Sequence, residues 1–161
     1  MKAWHFVRGN RRLGFGHGET VAAGYVYAVK GQIALCRWGL HASVKPLDAL
    51  QYAPGPIVCR VEMGGEIIRG ADKIVAQTRE VLWMADATNA LHEFACVVAE
   101  EALKAEKVTD ERSWAAIGAK RKWLGGEITS GELAAASAAA RAAARDADAA
   151  WAAARDADAA R

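Results

Sequence analysis

Two hydrophobic periods share this chain, and the point where one replaces the other divides it. In the first part apolar positions tend to alternate, as half-buried strands require. Met1–Val7 sets Trp4 and Phe6 against Lys2 and His5, imperfectly but well enough for a first strand. Val21–Val29 and Gln32–Arg37 are β-rich runs, and Lys30-Gly31 between them suits a hairpin turn. Ser43 is positioned to cap a short helix that begins at Pro46, a favoured first-turn residue, and runs through Leu47, Leu50 and Gln51 to Pro54-Gly55-Pro56. Ile57–Glu62 alternates again, and Gly64-Gly65 is expected to turn the chain back. Residues 71–84 fit either period, so helix and strand both stay open there.

From Asp86 or Thr88 onward the helical period takes over. Leu91, Phe94, Ala95, Val98 and Ala102 form one apolar stripe, predicted to face a core. A further helix is expected from Asp110 to Leu124, with acidic residues in its first turn, basic ones in its last and Gly125 past its end. Beyond Ser130 the composition changes sharply: 18 of the 29 residues from Leu133 to Arg161 are alanine, so helix propensity is high and bulky anchors are few. The unit A-A-A-R-D-A-D-A-A occurs at 142–150 and again at 152–160, around Trp151. Thr129 and Glu132 have capping-box spacing, which places the helix start near Ser130. Strands first and helices after predict an α+β fold, a small mixed-sheet domain followed by helices. The expected organisation is an α+β domain at 1–106, a helical connector at 107–129 and an alanine-rich helix at 130–161.

Composition narrows the function classes. Lys and Arg total 21 against 19 Asp and Glu, so no global charge points to nucleic acid or a membrane surface. Local basic clusters do occur, at Arg8, Arg11 and Arg12 and at Lys120, Arg121 and Lys122, and they are the candidates for phosphate contact. No segment reads as a signal peptide or a membrane span. Cys36, Cys59 and Cys96 are odd in number and widely spaced, which predicts free thiols and a cytoplasmic location.

Candidate chemistry concentrates between Cys36 and Glu62. Trp38, His41 and Tyr52 are polar-tipped residues that simple packing does not require, and they are the candidate binding residues. His41, Ser43 and Asp48 together suggest hydrolase chemistry, but G-x-S-x-G is absent. Ser43 and Asp48 are expected at a helix start instead. Cys36, His41, His92 and Cys96 supply four zinc-compatible side chains without the C-x-x-C knuckle of a structural site, and no metal is expected. Gly14-Phe-Gly16-His-Gly18 lacks both the helix context of a dinucleotide fingerprint and the GK[ST] of a P-loop, and reads as a loop.

Three resemblances add to this reading. A His-bearing first strand, then G-L-H-A-S, then helix and strand, is similar in arrangement to the ADP-ribosyltransferase fold. That resemblance implies NAD as cofactor, with His5 on the ribose side, Ser43 or Tyr52 as second element and Glu80 as third. Over the whole chain, M-K-A-W-H-F-V, L-C-R-W-G-L-H-A-S, L-D-A-L-Q-Y-A-P-G and D-K-I-V-A resemble an uncharacterised family of bacteriophages and prophages. The segment W-L-G-G-E-I-T-S-G-E-L-A-A-A also resembles the alanine-rich repeats of immunity proteins. The family resemblance implies a phage accessory protein. The expected function is binding to a host or phage protein, with inhibition of a host defence system as its concrete form and no cofactor. The alternatives are an ADP-ribosyltransferase-like enzyme and a homo-oligomer assembled through the C-terminal helix.

Overall fold

The computed structural model describes residues 1–13 and 19–159, so the Gly14–Gly18 cluster lies outside the described residues. The chain divides into two compact units, Met1–Thr88 and Asn89–Arg161. An antiparallel sheet followed by helices makes the fold α+β.

The first unit is built on one long hairpin. Strands β4 (Ile57–Arg69) and β5 (Ile74–Asp86) pair antiparallel over most of their length. Residues 71–84 are therefore mostly strand, because the partner ladder satisfies their backbone groups whatever the side-chain period. Gly70 donates its N–H to the Lys73 carbonyl at 2.8 Å across the turn. Gly64-Gly65, expected to turn the chain, instead interrupts the ladder as an irregularity between Gly64 and Ile67, with the strand continuing to Arg69. Strand β1 (Lys2–Val7) lies on the free edge of β4, with Lys2 opposite Glu62 and Val7 opposite Ile57.

The other edge of β5 is shared. Strand β2 (Val26–Ala28) pairs with Thr78–Glu80, and β3 (Leu40–Ala42) with Ile74–Ala76. Immediately after β3, Ser43 exchanges backbone hydrogen bonds with Trp4 of β1, at 2.7 and 2.9 Å. The chain of pairings β1–β4–β5–β3 thus returns to β1, and the sheet curls around an interior of Ala3, Val7, Val21, Leu40, Cys59, Val61, Met63 and Val81. Buried apolar surface on both sheet halves supplies the main stabilisation.

Three local expectations are corrected here. Gln32–Arg37 is not a strand, and no hairpin joins it to Val21–Val29, of which only three residues pair. The segment coils instead: the Ala34 carbonyl accepts N–H groups from Arg37 and Trp38, and Cys36 sits at φ 62°. Its backbone groups find local partners, so the β-rich composition has no ladder to join. Ser43 is not the cap of the short helix α1 (Pro46–Leu50); Lys45 holds that position without a side-chain bond, while Ser43 is 1% exposed and spends its backbone on Trp4.

The second unit comprises α2 (Thr88–Ala105), whose first residue closes the first unit, then α3 (Glu111–Leu124) and α4 (Ser130–Ala159). Asp110 caps α3 by accepting the Arg112 N–H at 2.9 Å. Thr129 and Glu132 form the expected reciprocal box at the start of α4, with Thr129 N–H to Glu132 Oε2 at 2.8 Å and Glu132 N–H to Thr129 Oγ1 at 3.2 Å. Arg112 at the start of α3 reaches Asp146 of α4 at 2.9 Å, so the two helices run side by side in opposite directions, with Ile117 and Ala143 buried.

The stripe expected to bury α2 does not do so. Phe94 is 43% exposed and Val98 49%, whereas Cys96 is the buried residue. Arg121 of α3 pairs with Glu93 and Glu100, two helical turns apart on the same side of α2 as Cys96. His92 on the adjoining face meets Trp123 edge-on at 5.9 Å.

Candidate functional site

The curl of the sheet brings β1 beside β3, and the side chains meeting there line a cavity of about 300 Å³. Its lining includes His5 from β1, Cys36, Arg37, Trp38 and Gly39 from the coiled segment, His41 from β3, Tyr52, Lys73 and Arg79. Leu13, Val29 and Leu40 supply apolar wall. A smaller cleft of about 50 Å³ shares His5, His41 and Tyr52, and adds Trp4, Ser43 and Ala49. Candidate residues forty-seven positions apart in the sequence thereby face one space.

His41 has a definite occupation within it. Its Nε2 accepts the Cys36 N–H at 3.0 Å, and its Nδ1 lies 3.2 Å from the Gly39 carbonyl. Only the neutral ring with its proton on Nδ1 satisfies both partners. Burial lowers the His41 pKa, the Gly39 bond opposes the shift, and Lys73 and Arg79 add to the lowering. The ring therefore clips the coiled segment to β3. With both nitrogens engaged it is not the base of Ser43, and hydrolase chemistry from His41, Ser43 and Asp48 has no alignment here.

Gly39 permits this clip. It has φ 124°, and a Cβ there would lie 2.3 Å from Val75 Cγ2. The chain can approach β5 so closely only without a side chain.

His5 makes no hydrogen bond with the described residues, and it lines both spaces. Its pKa is lowered well below the ordinary 6.5, first by burial, then by the positive charge of Arg79 and by His41. Its imidazole is thus neutral, with one donor and one acceptor that meet no partner among the described residues.

Arg79 was not among the residues singled out from sequence, and it is the most unusual side chain in the unit. It is 2% exposed, and among the described residues no carboxylate pairs with it. Its Nη1 donates to the His41 carbonyl at 2.9 Å, while its buried Nε has no partner. Desolvation lowers its pKa to about 10, with Cys59 and Tyr27 partly opposing. Buried charges are normally paired, so an orphaned guanidinium edge at a cavity calls for an anion. The signal available in the sequence was an arginine inside a run that alternates as a buried strand.

At the rim, Lys73 lies 4.1 Å from the centre of the Tyr52 ring, and hydrogen bonds to Tyr52 and then Cys36 raise its pKa. Tyr52 donates its O–H to the Asp72 carboxylate. Trp38 Nε1 donates to the Lys30 carbonyl at 3.1 Å. No carboxylate appears among the residues lining the cavity.

The remaining candidates lie elsewhere. Glu80 stands on β5 opposite Val26 and Glu62 and lines neither space. Cys36 and His41 belong to the first unit, His92 and Cys96 to the second. Among the described residues no group of three or more His, Cys, Asp or Glu side chains could hold a metal ion. Arg8, Arg11 and Arg12 are exposed in a turn where the Arg11 N–H meets the Arg8 carbonyl at 2.8 Å. Of the second basic cluster, Arg121 is neutralised by Glu93 and Glu100, and Lys120 stacks over Trp123 at 4.1 Å, leaving Lys122 exposed. Among the described residues no helix is long and apolar enough to cross a membrane.

No curated protein matches the chain, and no solved structure matches it. Residues 1–93, which contain every strand of the sheet and the whole lining of the cavity, match the model of the domain of unknown function DUF7666, and the chain belongs to that family.

Proposed function

We propose that the Met1–Thr88 unit is a binding module for a small anionic ligand, within a phage or prophage accessory protein. One observation carries the ligand reading: Arg79, buried to 2% exposure at the cavity, has an orphaned Nε and no carboxylate partner. An unpaired buried charge is costly and is ordinarily compensated by a counter-ion. Arg37 and Lys73 add two further cationic side chains to the same lining. Its volume stands at the lower end of the usual range for small-molecule sites.

The phage origin rests on the G-L-H-A-S and D-A-L-Q-Y-A-P-G segments. Inhibition of a host defence system would, on this reading, work by withholding an anionic small molecule. Binding is favoured over ADP-ribosyl transfer because no carboxylate lines the cavity, and Glu80 stands outside it.

The test is calorimetric titration of the full chain with a panel of phosphates, sulfates and carboxylates, beside the variant Arg79→Met. Binding by the wild type and a loss of at least about thirtyfold in the variant support the reading. Equal affinities in both chains, or no binding to any anion by the wild type, refute it.

A further inference from the structure

The chemistry around the orphaned guanidinium also selects among anions, and this selection rests on the anion-binding reading above. Arg79 on β5 and His5 on β1 line the same cavity; the buried Arg79 Nε and the His5 imidazole make no hydrogen bond with the described residues. The groups facing His5 are Arg79 from β5, His41 from β3, Cys59 opposite it on β4, and Tyr52 after α1. His41 is held neutral by its two backbone partners. Cys59 stays a thiol, since burial pushes its pKa up to about 11. None of these groups offers His5 a negative charge.

We propose that the pocket binds a phosphate monoester as its dianion, on Arg79 and on a His5 that takes a proton from solvent as the ligand enters. The organic part of the ester lies against Leu13, Val29 and Leu40, which are the apolar wall of the same cavity.

Charge and space both support this choice. One guanidinium neutralises a carboxylate, whereas a phosphate monoester, with its second pKa near 6, brings nearly two negative charges at neutral pH. The other cations of the lining lie farther out, Arg37 exposed and Lys73 only half-buried, so the second charge is met at His5, the buried group that can become a cation. Desolvation and the positive charge of Arg79 keep the His5 ring neutral. A dianion between the two cations reverses that balance, because opposite charge nearby favours the charged form. Inorganic phosphate would leave the apolar wall unused.

Three probes separate the alternatives: phenyl phosphate, benzoate with the same ring on a carboxylate, and inorganic phosphate. Each is titrated into the full chain between pH 6.5 and 8 in two buffers of different ionisation heat, which counts the protons taken up. Phenyl phosphate is expected to bind at least about tenfold more tightly than either of the others. It should take up close to one proton, and its affinity should fall as pH rises. His5→Gln, which keeps a hydrogen-bonding side chain that does not titrate, should bind phenyl phosphate without proton uptake. Imidazole resonances of the wild-type chain provide the check that needs no variant, with His5 titrating at higher pH when phenyl phosphate is present. Benzoate binding as tightly as phenyl phosphate overturns the inference and leaves the anion pocket standing. So does uptake that persists in His5→Gln, or a His5 resonance unmoved by phenyl phosphate. Failure of all three probes to bind overturns the inference together with the anion pocket.

Discussion

Replacing Arg79 with methionine should leave the ligand-free protein as stable as before or make it more stable. The side chain is 2% exposed, and desolvation is the largest influence on it, lowering its pKa to about 10. At 1.36 kcal/mol per pH unit, the folded state gives up about 3 kcal/mol to keep that charge at neutral pH. The unfolded chain keeps the proton to a higher pH than the native chain, so this penalty is complete at pH 7 and is relieved only as pH rises through about 10. Methionine removes the penalty and fills similar space with apolar atoms. The variant loses the bond from Nη1 to the His41 carbonyl, about 1–2 kcal/mol. The balance is a gain of about 1–2 kcal/mol, within the range seen when buried charges give way to apolar residues. In a domain of this size that raises Tm by roughly 4–16 °C. Urea unfolding at pH 7, in a buffer free of phosphate and sulfate, measures it directly. A loss of more than about 1 kcal/mol would mean that the guanidinium holds the fold together, and the case for an anion site would go with it.

Gly39→Ala should cost at least about 3 kcal/mol, since its Cβ would lie 2.3 Å from Val75 Cγ2 at φ 124°. Gly31→Ala, at φ 88° with nothing within 4 Å, should cost about 1–2 kcal/mol, and equal losses in the two variants would remove the close-approach argument. His5 and His41 both have lowered pKa values, so the unfolded chain binds protons first and their contribution, complete above pH 6.5, is lost as pH falls through the native values. Chemical unfolding between pH 8 and 5 should show the midpoint falling below pH 6.5; a decline unaltered in the double variant His5→Gln, His41→Gln would assign it to other groups. Aromatic disulfide reagents should label exposed Cys36 in the native chain and reach buried Cys59 and Cys96 only on unfolding. Rapid labelling of native Cys36→Ser would contradict that order.

The sequence by itself determined whatever depends on neighbours in the chain. The caps of α3 and α4 and the end of α3 at Gly125 are local hydrogen-bond chemistry, and they stand where their residue types place them. The order of strands before helices was enough for the α+β class. Trp38, His41 and Tyr52, singled out in the sequence, all line the cavity, whereas the bonds each makes there were not legible.

Only the tertiary structure decided which partner each group meets. Gln32–Arg37 has strand composition, yet β3 and β2 occupy the β5 edge, and its amide from Cys36 goes to an imidazole. The face of α2 that holds Cys96 carries Glu93 and Glu100, whose partner Arg121 lies 28 and 21 residues away, and it is not the apolar stripe of the helix itself. Arg79 looked like any other charge in an alternating run. A strand pattern says which side a residue takes, whereas a missing counter-ion is a property of everything else on that side. The closure of β3 onto β1 through Trp4 and Ser43 assembled that side, and it is a long-range pairing that no local period encodes.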